Sequence, residues 1–132
     1  MKRGYNRGYG VHWVSTDFQV LYLQGYVVEG QFAIFDPMSP VANTRMLYEC
    51  FVPGLRGNFL SPDPLCEGRV TLRASGYIYK DQSTNSNTAP LYRCWIRKGD
   101  HFISVFSNCE GRQTEFILGY YIVNPGVSDC YY

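Results

Sequence analysis

Charge of either sign is scarce in this sequence, and neither sign dominates. Lysine and arginine number 12 and aspartate and glutamate 11, so charged residues make up 17% of the 132 residues and the formal net charge is +1. A protein whose main partner is nucleic acid normally carries clustered basic charge, so we expect no nucleic acid partner. Hydrophobic residues make up 45% of the chain, which is enough for a core and excludes a disordered chain.

Long hydrophobic runs are also missing. No run of about 18 apolar residues occurs, so we expect no membrane span. The first six residues, Met-Lys-Arg-Gly-Tyr-Asn, lack the apolar stretch of a secretory signal, so a signal is either absent or already removed. The length favours one domain over residues 1–132.

Tyrosine, phenylalanine and cysteine are abundant, with 12, 8 and 5 residues, and many of them recur in an internal repeat. The two best copies match in residue type and in spacing. The matching segments are 47–50 and 91–94 (Leu-Tyr-x-Cys), 59–61 and 102–104 (Phe-x-Ser), 66–69 and 109–112 (Cys-Glu-Gly-Arg), and 76–77 and 119–120 (Gly-Tyr). Much of the aromatic surplus therefore reflects a repeated architecture.

A third, weaker copy lies near the N-terminus. His12-Trp13-Val14-Ser15 corresponds to 101–104 and Gly25-Tyr26 supplies the Gly-Tyr pair, but the Leu-Tyr-x-Cys and Cys-Glu-Gly segments are missing. The C-terminal segment 129–132 is the candidate to replace the missing opening strand and so to close a ring. Because repeats of roughly 45 residues cannot each bury a core, we predict a single pseudo-threefold domain. The three repeats cover about residues 8–46, 47–90 and 91–132.

Each unit is predicted to be a strand, a turn, a strand, a short helix and a strand. Short runs rich in aromatic and β-branched residues predict the strands. Ser107 and Glu110 form a capping-box pattern, and a glycine follows where a helix would end, which predicts a short helix over 109–118. Similar signals precede Gly25 and Gly76. The predicted fold class is mostly β with short helices, and a β-trefoil-like closure is the nearest analogue.

The cysteines occupy matching positions in the second and third units. Cys50 and Cys66 are 16 residues apart and Cys94 and Cys109 are 15 apart, so the simplest pairing forms one disulfide within each unit. Zinc is the weaker alternative, since no Cys-x-x-Cys pair exists and the two histidines lie in different repeats; we expect no metal and no cofactor. Disulfides imply an oxidising compartment, so we expect a secreted, extracellular protein. Cys130 is left as a free thiol or as half of an intermolecular bridge.

The third unit resembles a secreted repeat family of uncharacterised function. Its segments Leu-Tyr-Arg-Cys, Gly-Asp-His-Phe-Ile-Ser, Asn-Cys-Glu-Gly and Leu-Gly-Tyr are similar to units in bacterial, fungal and invertebrate extracellular proteins, often beside carbohydrate-active domains. The similarity covers about residues 8–132 and is weakest in the first unit. It implies a small binding module, similar in design to the small lectins of marine invertebrates. Gly-Asp-His-Phe becomes Arg-Gly-Asn-Phe in the second unit and Gly-Val-His-Trp in the first, so the copies are not equivalent sites.

Nothing in the sequence selects a catalytic centre, and we expect no enzyme activity. His12 and His101 occupy matching repeat positions without a nucleophile-elbow pattern nearby. Glu67 and Glu110 are also repeat mates, so symmetry would hold them apart, whereas a glycosidase needs two carboxylates about 5 to 10 Å apart.

Carbohydrate binding suits the residues better, because sugar recognition combines planar polar side chains with aromatic faces. The candidate ligand-binding residues are Tyr92, Arg93, Trp95, Asp100, His101, Glu110 and Tyr120 in the third unit, Tyr48, Glu49, Asn58, Glu67 and Tyr77 in the second, and His12, Trp13 and Tyr26 in the first. Other roles stay open for several of them. The capping-box glutamates suit helix N-termini, Trp13 suits the core, and Asp100 with His101 suits a turn.

We therefore predict a lectin with up to three unequal sites, the best of them in the third unit. An N-acetylated amino sugar such as N-acetylglucosamine is the first ligand to test, and glycans or glycoproteins are the expected partners. The alternatives are a structural or matrix protein that makes protein contacts, and a defence or inhibitor protein that acts on another protein's surface. A homo-oligomer fits the lectin prediction, because lectins with weak sites gain avidity by presenting several at once.

Overall fold

Most of the regular structure in the computed structural model is β-sheet. The structure describes residues 1–54, 56–82, 87–97 and 100–123. The strands in this part of the chain are β1 (Lys2–Asn6), β2 (Val11–Ser15), β3 (Val27–Gln31), β4 (Thr44–Phe51), β5 (Asn58–Ser61), β6 (Val70–Tyr79), β7 (Thr88–Arg97), β8 (Asp100–Ser104) and β9 (Gln113–Ile122). Helical structure is limited to α1 (Phe18–Leu23) and to 3₁₀ turns at Cys66–Gly68 and Cys109–Gly111. No helix in the described ranges is long and apolar enough to cross a membrane.

The strands form two antiparallel sheets. The strand order is β2-β1-β3 in the first sheet and β5-β4-β6-β9-β7-β8 in the second. β1 therefore lies between β2 and β3, just as β4 lies between β5 and β6 and β7 lies between β8 and β9. The N-terminal residues Lys2–Asn6 thus form a central strand, although no Leu-Tyr-x-Cys segment occurs there. The segment 129–132, expected in that position, lies outside the described residues.

One hydrophobic core draws on strands of both sheets. Alternate residues of a strand point to opposite faces, so each strand contributes only one or two side chains to it. The buried members are Met1, Val14, Phe32, Leu47, Leu60, Ile78, Leu91, Ile103, Leu118 and Tyr121. The leucines of both Leu-Tyr motifs are fully buried, which explains why this pair recurs in the sequence.

The predicted helices formed in only one of three places. α1 confirms the helix before Gly25, but the helix predicted over 109–118 is wrong, and so is its counterpart before Gly76. Each of these segments makes a 3₁₀ turn and then enters a long strand, β9 or β6. The glycine after each predicted helix instead permits close approach of strands. A Cβ on Gly119 would lie 2.7 Å from the carbonyl oxygen of Tyr79 on β6.

Both predicted disulfides, Cys50–Cys66 and Cys94–Cys109, are present, with Cα–Cα distances of 5.5 and 5.6 Å. Each joins a central strand, β4 or β7, to the 3₁₀ turn that follows the hairpin. Closing a loop of this length stabilises the fold by about 3 kcal/mol in the chain-entropy model. Cys130 lies outside the described residues.

The two disulfide-linked turns are left-handed. The φ angles of Cys109 and Glu110 are +52° and +56°, and those of Cys66 and Glu67 are +53° and +56°. An ordinary L-residue in this region costs about 1–2 kcal/mol, so other contacts must hold the turns in place. The disulfides supply one such contact, and the ion pairs of Glu67 with Arg93 and of Glu110 with Arg3 supply the other.

Candidate functional site

Arg93, predicted to bind ligand, is buried and forms contacts within the protein. Its Nη1 donates to the carbonyl oxygen of Leu60 at 3.0 Å and to Oε2 of Glu67 at 2.7 Å, and Nη2 donates to Oε1 of Glu67 at 3.1 Å. Nε donates to Glu115 at 3.1 Å, and the guanidinium lies over the ring of Phe116. Arg93 on β7 thus joins its own hairpin to β5 and to the left-handed turn of the second unit.

Arg3 makes the same set of contacts at another boundary. It donates to the carbonyl oxygen of Ile103 at 2.7 Å, to both oxygens of Glu110 at 2.7 and 3.1 Å, and to Glu29 at 3.0 Å. Its guanidinium lies over Phe102. Hydrogen bonds from the arginines, with burial opposing them, hold the pKa of both Glu110 and Glu67 below the usual range. These glutamates therefore connect one strand hairpin to another.

The second unit places a carboxylate where the other two place an arginine. Glu49 on β4 is fully buried and accepts hydrogen bonds from Ser15 Oγ at 2.7 Å and Ser75 Oγ at 2.8 Å. Arg73 Nε lies 3.4 Å from its Oε1. Asn58 is also occupied internally, because its amide exchanges hydrogen bonds of 2.7 and 2.8 Å with the backbone of Val14.

Several of the predicted aromatic residues are half-buried parts of the sheets. Tyr48 and Tyr92 pack against the disulfide clusters, while Trp95 pairs with His101 across the β7–β8 hairpin. His101 Nδ1 lies 2.7 Å from Glu115, and its ring tilts against Phe59. His101 and Arg93 thus share Glu115 as a partner, and Trp95 lies beside them on the hairpin. Tyr77 and Tyr120 lie on β6 and β9 and are also half-buried.

Two first-unit candidates, Trp13 and Tyr26, do line a common cleft. We call it the Trp13 cleft; its volume is about 260 Å³, and its lining is Trp13, Gln24, Tyr26, Phe51, Leu72 and Arg73. The Trp13 and Tyr26 rings are 6.0 Å apart and inclined by 54°. The cleft combines aromatic faces with amide and guanidinium groups, which is the composition expected of a site for a small polar ligand with an apolar face.

The indole nitrogen of Trp13 is unusual. Within the described ranges it is the one buried side-chain nitrogen or oxygen atom without a hydrogen-bond partner. Leaving a buried donor unpaired costs about 1–3 kcal/mol, and such groups in native proteins require an explanation. Trp13 is also a lining residue of the cleft, and an acceptor that reached this nitrogen would satisfy the donor.

The charge in the Trp13 cleft is already balanced. Arg73 Nη1 lies 3.0 Å from Asp17, and Nε is close to Glu49, so this guanidinium has two carboxylate partners. Burial raises the pKa of Tyr26 to about 12, with a smaller contribution from nearby Tyr9, so its hydroxyl stays protonated and donates to the carbonyl oxygen of Arg56 at 3.2 Å. The guanidinium of the cleft is therefore paired with carboxylates, and its tyrosine hydroxyl is neutral and hydrogen-bonded.

His12 and Asp100 come together from different hairpins. Asp100 Oδ1 accepts from the His12 backbone nitrogen at 2.9 Å and lies 3.0 Å from Nδ1 of its ring, while Nε2 lies 3.4 Å from Glu29. Burial lowers the pKa of His12, but the hydrogen bonds to Asp100 and Glu29 outweigh burial and the net pKa is raised. Burial raises the pKa of Asp100, but the hydrogen bonds with His12 outweigh burial, so the net pKa is lowered.

The sequence interpretation missed Gln24, Phe51, Leu72 and Arg73 of the Trp13 cleft. For Phe51 a signal existed, because it follows Leu-Tyr-Glu-Cys just as the candidate Trp95 follows Leu-Tyr-Arg-Cys. The other three follow no repeated motif, and only the tertiary structure brings them to the cleft. A group of three or more His, Cys, Asp or Glu side chains suited to a metal ion does not occur within the described ranges.

Comparisons with family models, curated proteins and solved structures returned no match to the chain.

Replacing Arg93 by glutamine tests whether the buried guanidinium holds the hairpins together. Arg93→Gln leaves Glu115 and the Leu60 carbonyl without their charged donor, so we expect a loss of about 3–5 kcal/mol in the free energy of unfolding. Chemical denaturation measures it. Arg69→Gln, at an exposed arginine that follows the Cys66–Gly68 turn, is the control and should stay within about 0.5 kcal/mol of the parent. Equal stability of the two variants would contradict this role.

The His12 contacts predict a pH dependence of stability. A raised pKa means that the contribution of His12 is fully present below the unfolded value of about 6.5 and is lost as pH rises through the folded value. The lowered pKa values of Asp100 and Glu29 act oppositely, so their contribution is lost as pH falls through the folded values. Denaturation series at several pH values should show the alkaline loss in the parent and a flatter profile in His12→Gln. Identical alkaline slopes would refute the assignment to His12.

Proposed function

We propose that this protein is a carbohydrate-binding protein, a lectin without catalytic activity, and that the Trp13 cleft is its main site. The observation that carries the proposal is the unpaired indole nitrogen of Trp13 beside a cleft lined by Tyr26 and Phe51. Aromatic faces pack on the apolar side of a sugar ring, and polar groups at the edge bind its hydroxyls. The volume of about 260 Å³ suits one sugar ring better than a larger ligand.

The preferred ligand is an N-acetylated amino sugar such as N-acetylglucosamine. Its acetamido group carries a carbonyl oxygen that can accept from Trp13 Nε1, and a methyl group that can pack against an aromatic ring. The Gln24 amide offers a further donor and acceptor at the rim. Because Arg73 is neutralised by Asp17 and Glu49, a neutral sugar fits this cleft better than an acidic one.

Three related units around a pseudo-threefold axis, with a β-trefoil-like closure, form the architecture that we propose for the chain. Support comes from contacts that run in one direction: Arg93 on β7 reaches β5, Arg3 on β1 reaches β8, and Glu49 on β4 reaches the end of β2. Such units would carry up to three unequal sites. We place the main site in the first unit, whereas the sequence favoured the third, because Trp13 and Tyr26 of the first unit line the Trp13 cleft.

Secretion is part of the proposal. The two disulfides support an oxidising compartment, because such bonds persist outside the cytosol. The resemblance of the third unit to secreted repeats found beside carbohydrate-active domains points the same way. Glycans or glycoproteins are then the partners, and no nucleic acid is involved.

Trp13→Phe tests the site with a minimal change. Phenylalanine keeps an aromatic face and removes the indole donor, so we expect N-acetylglucosamine affinity to fall about tenfold, while glucose affinity changes little because glucose lacks the acetamido acceptor. Isothermal titration calorimetry measures both affinities. Tyr22→Phe, which removes one polar atom from an exposed ring on α1, is the control and should bind as the parent does.

A glycan array on the folded parent protein completes this test. Binding of N-acetylated sugars that falls in Trp13→Phe and not in Tyr22→Phe would support the proposal. A correctly folded protein that binds no glycan on the array would refute it.

A structural protein that makes protein contacts is the second candidate, and one surface favours it. Tyr22 and Leu23 on α1 and Val27 on β3 are 66, 83 and 65% exposed, and α1 contacts β3. Exposed apolar clusters of this kind mark contact surfaces. Sedimentation velocity over a range of concentrations should then show self-association that Leu23→Lys abolishes and Met38→Lys, at an exposed site on a loop, leaves intact. A parent protein that is monomeric throughout would exclude this candidate.

A further inference from the structure

We propose that a second cleft, on the other side of β2 from the Trp13 cleft, binds an acidic monosaccharide through its carboxylate. We call it the Arg112 cleft; it has a volume of about 190 Å³ and includes Tyr5, His12, Glu29, Arg97, Asp100 and Arg112 in its lining. His12 and Trp13 are neighbours on a strand, so their side chains point to opposite faces and reach different clefts. No residue of this lining is shared with the Trp13 cleft.

Arg112 supplies the anion-binding group. Its guanidinium has neither a hydrogen bond nor an ion pair among the described residues, although it lines a concave surface. The backbone beneath it is held in place, because its own N–H donates to the carbonyl oxygen of Cys109 at 2.9 Å at the end of the disulfide-linked turn. A guanidinium binds a carboxylate through two parallel hydrogen bonds, so the unpaired guanidinium of Arg112 suits a ligand carboxylate.

Arg97 is a second cation in the lining. Its Nη2 donates to the carbonyl oxygen of Gly10, which directs the exposed side chain across the cleft. Asp100 is its nearest acidic group, at 3.9 Å, and that carboxylate already accepts from the backbone and ring of His12. Arg97 therefore keeps most of its hydrogen-bonding capacity for a ligand.

The carboxylates of the cleft do not exclude an anion, because each is paired. Asp100 is buried against His12, and Glu29 accepts from Arg3 through Oε1. The second oxygen of Glu29, Oε2, has no partner among the described residues and can accept a hydroxyl proton. An anion with hydroxyl groups matches this arrangement, since the arginines bind its charge and Glu29 binds a hydroxyl. The Tyr5 ring adds an apolar face for the sugar.

The two clefts therefore differ in the ligand charge that they accept. In the Trp13 cleft the guanidinium of Arg73 has two carboxylate partners, whereas in the Arg112 cleft the guanidinium of Arg112 has none. The proposed acidic site does not depend on sugar binding in the Trp13 cleft, and each can fail separately.

Titration with glucuronate at pH 7 and low salt, followed by nuclear magnetic resonance, tests the acidic site. We expect glucuronate to bind at least about tenfold more tightly than glucose, which lacks the carboxylate, and than acetate, which lacks the hydroxyls. Arg112→Gln should weaken glucuronate binding about tenfold or more. Arg69→Gln, at the same position after the other Cys-Glu-Gly turn and outside the cleft, should bind as the parent does.

Three outcomes would overturn the proposal: equal affinities for glucuronate and glucose, equal affinities for glucuronate and acetate, or equal effects of Arg112→Gln and Arg69→Gln. Thermal unfolding of both variants checks that they are folded, and both replacements lie on exposed side chains. Trp13→Phe should retain full glucuronate affinity. A loss in that variant would place the acidic sugar in the Trp13 cleft and would also overturn the proposal.

Discussion

The structure depends on buried guanidinium groups that join one strand hairpin to another. Arg3 and Arg93 are almost fully buried, and burying a charge is costly unless partners replace its water. Each has a carbonyl oxygen and two carboxylates as partners, and one carboxylate lies on a left-handed turn. That turn must present Glu110 or Glu67 at hydrogen-bond distance from both terminal guanidinium nitrogens. A disulfide fixes it to the central strand, so the disulfides stabilise the ion pairs as well as the chain.

Each cleft lies next to a place where a buried charged residue joins two hairpins, which we call a joint, and the polar groups of the joint determine the polarity of the cleft. Where Arg3 joins β1 to β8, the surrounding groups are charged, and the Arg112 cleft is lined by His12 and Asp100. At the joint between β4 and β2, Glu49 is bound mainly by hydroxyl groups instead. No arginine occupies the central position there, and the neighbouring surface is formed by Trp13 and Phe51. The two joints differ in their central buried residue, Arg3 in one and Glu49 in the other, and the clefts beside them differ in polarity.

The sequence predicted the β-rich class and both disulfides, because these follow from patterns within one repeat. The prediction failed where the local pattern of one segment fits both a helix and a strand. Residues 113–118 follow a capping box and also suit a strand, and the strand forms because Gly119 lets β9 approach Tyr79 closely. For the site, Trp13 and Tyr26 could be predicted as aromatic candidates. Their partners Gln24, Leu72 and Arg73 could not, since they come from elements that meet β2 only after folding.

The sequence alone determined which residues recur, and recurrence reflects what each strand needs locally: a leucine facing the core, a cysteine for the bridge, a glycine where strands cross closely. It did not determine whether a polar side chain faces a ligand or another strand. Glu67, Glu110 and Arg93 have the chemistry of a binding site, yet Glu67 binds Arg93 and Glu110 binds Arg3. Only the tertiary structure decided this, because a hydrogen bond between residues 26 or 107 positions apart depends on how the hairpins pack and not on any local pattern.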